Sequence, residues 1–264
     1  MQEDYFIKWG FQLPLVLYET VILQVFNTTL SLYLLNALYS IISCFLLYKI
    51  LKKVSTNERI ICLVMSLYLF MPSSIFHIGL LYNHVISGMF ILLAVYFFCR
   101  KLSLPQSKIK MITCLEGLGV GLFLGMAQLF RSEAFIVLIA IGCFTVYAFI
   151  SSSQENNKKS GLLDFTIMGI LILTSYVVVF KVTDLMVQNM LGMKITNQCP
   201  WWKLVCGMTP QNYGRYDLTY SWIISVPKKE QWKETKHILS DIFSSRSLGQ
   251  TLLFFHNKLY LLHI

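Results

Sequence analysis

The sequence predicts an all-α fold: a polytopic transmembrane helix bundle of about six spans, with an extracytoplasmic interfacial N-terminal segment and an extracytoplasmic C-terminal tail. Three observations carry that prediction. Apolar residues make up 56% of the 264 positions and charged residues only 13%, against roughly 45–50% and about 25% in soluble domains. The apolar residues gather into long blocks, and mean hydropathy is +0.61. Basic residues concentrate in the polar stretches between alternate blocks. Disorder is excluded, because an unfolded chain of this composition would leave too much apolar surface in water.

A helix needs about 20 apolar residues to cross the hydrocarbon core. Blocks of that kind occupy 30–50, 60–81, 84–99, 112–130, 134–150 and 162–182; the third is short unless it begins inside the preceding turn. The stretch 49–59 carries Lys49, Lys52, Lys53 and Arg59 against Glu58, or +3. Arg100, Lys101, Lys108 and Lys110 give +4, and Lys158 and Lys159 against Glu155 give +1. The net charge of +9 is therefore a topology signal and not a nucleic-acid surface. With positive loops inside, spans 30–50, 84–99 and 134–150 run inward and the other three outward. The turns at 80–84 and 131–133 are then external, on a multi-pass protein of the cell membrane.

The expected domains are an external interfacial segment (1–29), the bundle (30–182) and an incomplete extracytoplasmic tail (183–264). Within 11–26, Pro14 and Glu19 interrupt the apolar run. An amphipathic helix in the outer interface, with Glu19 and Gln24 facing water, is preferred to a seventh span. The first residues lack a basic n-region followed by an apolar stretch, so a preceding span is expected to be missing. In the tail, 226–243 looks helical and water-facing, with Glu230 and Glu234 among Lys229, Lys233 and Lys236. Residues 247–264 turn apolar again, as an interfacial or a spanning helix.

Cys44, Cys62, Cys99, Cys114 and Cys143 fall in or at the ends of spans, as small apolar residues. Cys199 and Cys206 are either a disulfide pair or two unpaired thiols. The sequence has no zinc signature, no P-loop and no spacing that argues for a catalytic triad.

Ionisable groups at membrane depth are costly and therefore informative. Arg131 and Glu133 share one external turn. A guanidinium fork suits phosphate oxygens, so Arg131 either holds a lipid-linked phosphate, oriented by Glu133, or forms a capping ion pair with it. Tyr82, Asn83 and His84 make the other turn. They hydrogen-bond a substrate, or Asn83 caps the helix that begins there. Pro72, followed by Ser73 and Ser74, is expected to kink its span. Glu116 and Asp164 sit in first turns, where carboxylates complement the helix dipole. Gly117, Gly121 and Gly125 are spaced for close helix packing. In the tail, Trp201, Trp202, Lys203, Tyr213, Arg215 and Asp217 offer either a sugar-stacking surface or an interfacial anchor.

Four stretches carry a family resemblance: FQLPLVLYETVILQVFNTTLSLYLLNALYSIISCFLLYKILKK, MPSSIFHIGLLYNHVISGMFILLAVYFFCRK, GLGVGLFLGMAQLFRSEAFIVLIAI and WWKLVCGMTPQNYGRYD. Together they resemble polytopic GT-C glycosyltransferases, in the protein-mannosyltransferase-like and aminoarabinose-transferase-like group of Gram-positive type. The resemblance implies an enzyme that moves a sugar from a polyprenyl-phosphate donor to an external glycan, lipid or protein acceptor. It implies a carboxylate in the first external loop as catalytic group and, in many members, a divalent cation (Mg or Mn). Arg131 and Lys203 would stabilise the departing phosphate, with Glu133, Asn83 and His84 around it.

The chain departs from that pattern in lacking the first span and most of the first loop. Glu3 and Asp4 are the only acids near that end, so they are the candidates for catalysis. An internal fragment or shortened gene product of such an enzyme is the expectation. Two alternatives are a non-catalytic membrane subunit and a lipid-linked-saccharide transporter or flippase; a flippase would be expected to show paired broken helices.

Overall fold

The computed structural model describes residues 10–102, 110–152, 158–192, 200–209 and 219–261, and all regular structure among them is helical. The chain divides into two compact units, one of residues 11–195 and one of 1–10 with 196–264.

The larger unit holds α1 (Leu13–Phe26), α2 (Leu30–Val54), α3 (Glu58–Phe70), α4 (Pro72–Gly79), α5 (Asn83–Leu102), α6 (Lys110–Phe130), α7 (Ala134–Ser152) and α8 (Lys158–Leu191). Among the described residues, three helices are long and apolar enough to cross a membrane: Leu30–Val54, Asn83–Leu102 and Thr166–Leu191. The 20 residues of α5 rise about 30 Å, the thickness of a hydrocarbon core. Leu13–Phe26, Cys114–Phe130 and Ala134–Tyr147 are shorter apolar helices.

The expected span 60–81 is not one helix. Met71 is extended (φ −69°, ψ 116°) and separates α3 from α4. Pro72 lacks the N–H that would continue the ladder and forces the residue before it out of the α region. The kink expected at Pro72 is thus a break, and it leaves helices of 13 and 8 residues. The side chains of Ser73, Ser74 and His77 lie outside the described residues. The other departures are extensions: α5 reaches back to Asn83 in the turn, and α8 runs past residue 182 to Leu191.

Helix α6 packs between α5 and α8. Ala94, Phe98, Val120, Leu124, Ala127, Met168 and Ile172 form the buried centre of this layer, with Ala134 and Ile141 from α7. The glycine spacing has the expected consequence. Gly117, Gly121 and Gly125 all face α8, and a Cβ at Gly121 would strike Ser175 Oγ and the Ile172 carbonyl. At Gly125 a Cβ would stand 2.8 Å from that of Val179. Gly119 points the other way, toward Phe97.

One end of this layer is basic. Arg100 Nε lies 3.2 Å from Oε1 of Glu116, whose side chain is 3% exposed. Lys101 and Lys53 add positive potential there. The dipole role expected for Glu116 is therefore replaced by an ion pair between neighbouring helices. The Asp164 side chain lies outside the described residues.

The smaller unit contains α9 (Pro200–Met208), a 3-10 turn (Ser221–Ser225), α10 (Lys228–Ser244) and α11 (Leu248–Leu261). Its core is Trp202, Val205, Cys206, Ile223, Ile238 and Ile242. Helix α10 exposes Lys229, Glu230, Lys233 and Lys236, while Glu234 is half-buried. It also buries Gln231, Thr235, Ile238 and Ile242, a stripe at helical spacing that makes it amphipathic. Lys258 Nζ donates to the Gly207 carbonyl at 2.6 Å, and Arg246 Nη2 donates to that of Met208 at 3.3 Å. Both cations thus meet the carbonyl end of α9, where the helix dipole favours them.

Candidate functional site

The site is built where α5 begins and α6 ends. The last carbonyls of a helix have no partner within it. One of those in α6 is satisfied from α5, where Asn83 Nδ2 donates to the Phe130 carbonyl at 2.7 Å; Ser87 Oγ adds a second bond, at 3.2 Å, to the Ala127 carbonyl that already accepts from the Arg131 N–H. The Asn83 bond uses the side-chain amide N–H and leaves Oδ1 outside the contact. It stitches α5 to the turn that follows α6.

That stitching brings together residues the sequence left on separate turns. Arg131 Nη1 lies against both ring nitrogens of His84, 2.6 Å from Nδ1; a guanidinium N–H only donates, so the imidazole is the acceptor. Nη2 of Arg131 is ion-paired with Glu133. The arginine side chain is 27% exposed and the glutamate 48%. Of the two readings of Arg131 and Glu133, the ion pair exists, and it leaves the guanidinium close enough to water to meet a ligand. The fork has five N–H donors, and these two contacts use one nitrogen each.

His84 also borders an apolar cavity of about 940 Å³ bounded by α2, α3, α4 and α5 and open to the surface of the bundle. Ser40, Tyr48, Met65, Tyr68, Gly88 and Leu92 are among its walls. The break at Pro72 helps to shape it, because Leu69 and Ile78 line it from either side. No spacing in the sequence announces this cavity; it arises from four helices that meet without filling the space between them.

Glu19 departs from the expected interfacial pattern. Gln24 is exposed, but Glu19 is half-buried and lines a cavity of about 10 Å³ with Tyr18, Asn36 and Tyr82. Burial pushes its carboxyl above the usual carboxylate range. The Tyr18 and Tyr39 hydroxyls meet at 3.1 Å, and Tyr18 sets its ring edge-on to Phe130 at 5.9 Å. Contacts of this kind hold α1 to the bundle.

In the smaller unit, Lys203 is exposed on α9, and Trp201 packs on Trp232 with ring centroids 4.4 Å apart. Trp202 is 3% exposed, so it is a core residue and neither stacks on sugars nor anchors at an interface. Glu3, Asp4, Cys199, Tyr213, Arg215 and Asp217 lie outside the described residues. A divalent cation needs several oxygen or nitrogen ligands. Among the described residues no three His, Cys, Asp or Glu side chains converge, so the described part of the site does not supply that ligand set. No family model, curated protein or solved structure matches the chain.

Proposed function

We propose that the chain is a membrane glycosyltransferase, or part of one, that takes a sugar from a polyprenyl-phosphate donor and passes it to an external glycan, lipid or protein acceptor. One observation carries this reading: Arg131, positioned by His84, Glu133 and the Asn83 stitch, stands beside an apolar cavity that His84 itself borders. A cation next to an apolar cavity suits a ligand with an anionic head and a hydrocarbon tail. In the reaction the acceptor hydroxyl attacks the anomeric carbon and the bond from that carbon to the phosphate oxygen breaks. Negative charge then grows on the leaving phosphate, and Arg131 is placed to stabilise it. The acceptor proton passes to a carboxylate, for which Glu3 and Asp4 remain the candidates.

The break between α3 and α4 supplies one of the two broken helices expected of a second reading, a lipid-linked-saccharide transporter. The chain reconstituted in liposomes with a radiolabelled polyprenyl-phosphate sugar separates the two. Transfer of label to an acceptor, lost in Arg131→Gln, supports the enzyme. Movement of intact donor between leaflets without transfer supports the transporter.

A further inference from the structure

We infer that α11 lies in the membrane interface and docks the smaller unit onto a lipid bilayer. Leu248, Leu252 and Phe255 fall at i, i+4 and i+7, one face of a helix, and they are 82%, 63% and 38% exposed. Leu253 beside them is 58% exposed. The adjoining side is committed to the unit. Phe254 is 6% exposed with the Arg246 guanidinium over its ring at 4.6 Å, and Lys258 is bonded to Gly207. The helix therefore cannot turn its leucines inward.

Two features choose a bilayer over another protein surface. The chain from 242 to 264 has no Asp or Glu, so no carboxylate on this stretch opposes contact with a headgroup layer, while Arg246 and Lys258 are held by α9. The same chain also carries three helices long and apolar enough to cross a membrane, the last ending at Leu191, so bilayer is always close at hand. Of the two sequence expectations for 247–264, the interfacial helix is thus favoured over a span. A span would have to bury Arg246 and Lys258 or pull both from α9. This inference does not depend on the glycosyltransferase reading.

The test uses the full chain in liposomes of phosphatidylcholine with phosphatidylglycerol. An environment-sensitive fluorescent amino acid is encoded in place of Leu252, and separately in place of Gln250, which is exposed on another face. The expected result is blue-shifted emission at 252 that lipid-borne doxyl groups quench at least threefold more than at 250. A third reporter in place of Phe255 should follow 252. Equal, water-like emission at all three positions would overturn the inference. So would a blue shift at 252 without doxyl quenching, which would mean that protein covers this face.

Discussion

Arg131 and His84 stand 47 positions apart in sequence, yet the guanidinium meets the imidazole at 2.6 Å. The pairing depends on Asn83, which ties the start of α5 to the end of α6. Replacing Asn83 by Ala removes one donor from the Phe130 carbonyl, at a cost of about 1 kcal/mol. The two turns should then separate, and affinity for polyprenyl phosphate should fall several-fold while the helices remain folded. Lipid titration of the chain in nanodiscs, alongside circular dichroism, reads both effects.

The helix pair α6 and α8 should be intolerant at a single atom. Gly121→Ala would place its methyl against Ser175 Oγ and the Ile172 carbonyl, and overpacking of this kind costs about 1–3 kcal/mol. Shrinking Ser175 to Gly should not restore stability, because the Ile172 carbonyl is backbone. Gly119→Ala, which meets only the Phe97 ring at 3.5 Å, should be near neutral. Thermal unfolding in detergent ranks the three.

Arg100→Ala would leave the buried Glu116 carboxylate without its ion pair. Removing one partner of such a pair costs on the order of 3 kcal/mol. Adding Glu116→Gln should recover most of that loss, because the stranded charge is gone. A double-mutant cycle on the unfolding midpoint measures the coupling; full additivity would mean that the pair contributes nothing.

Glu19 gives a pH signature. Its carboxyl is raised from 4.5 by burial, so the folded state favours the protonated form. The stabilisation is complete below the unfolded value and is lost as pH rises through the folded one. Stability should therefore decline on going from about pH 4 toward neutrality, and Glu19→Gln should flatten that part of the profile. Unfolding midpoints of both proteins at pH 4–7 decide it.

What the sequence revealed depended on how local the cause was. Glycine spacing at 117, 121 and 125 announced close packing, because one helix face is set by position alone. The turns holding His84 and Arg131 were visible as polar breaks in apolar runs, but not that they touch; that follows from α5 packing on α6. Pro72 was read as a kink, and only the extended Met71 shows that the helix ends. Glu116 and Glu19 were each read from their own helix alone, whereas Arg100 of α5 pairs with the buried Glu116 and Glu19 is half-buried beside Asn36 and Tyr82. Trp202 looked like a surface residue for the same reason, since its cover comes from α10 and the turn before it.

The most direct measurement is native mass spectrometry of the chain released from nanodiscs loaded with polyprenyl phosphate, compared with Arg131→Ala and Arg131→Lys. Retained lipid in the unaltered chain, with apparent affinity lower by about tenfold to a hundredfold in Arg131→Ala and only partly recovered in Arg131→Lys, is the expected result. Equal lipid retention by all three proteins would contradict the proposed role of Arg131.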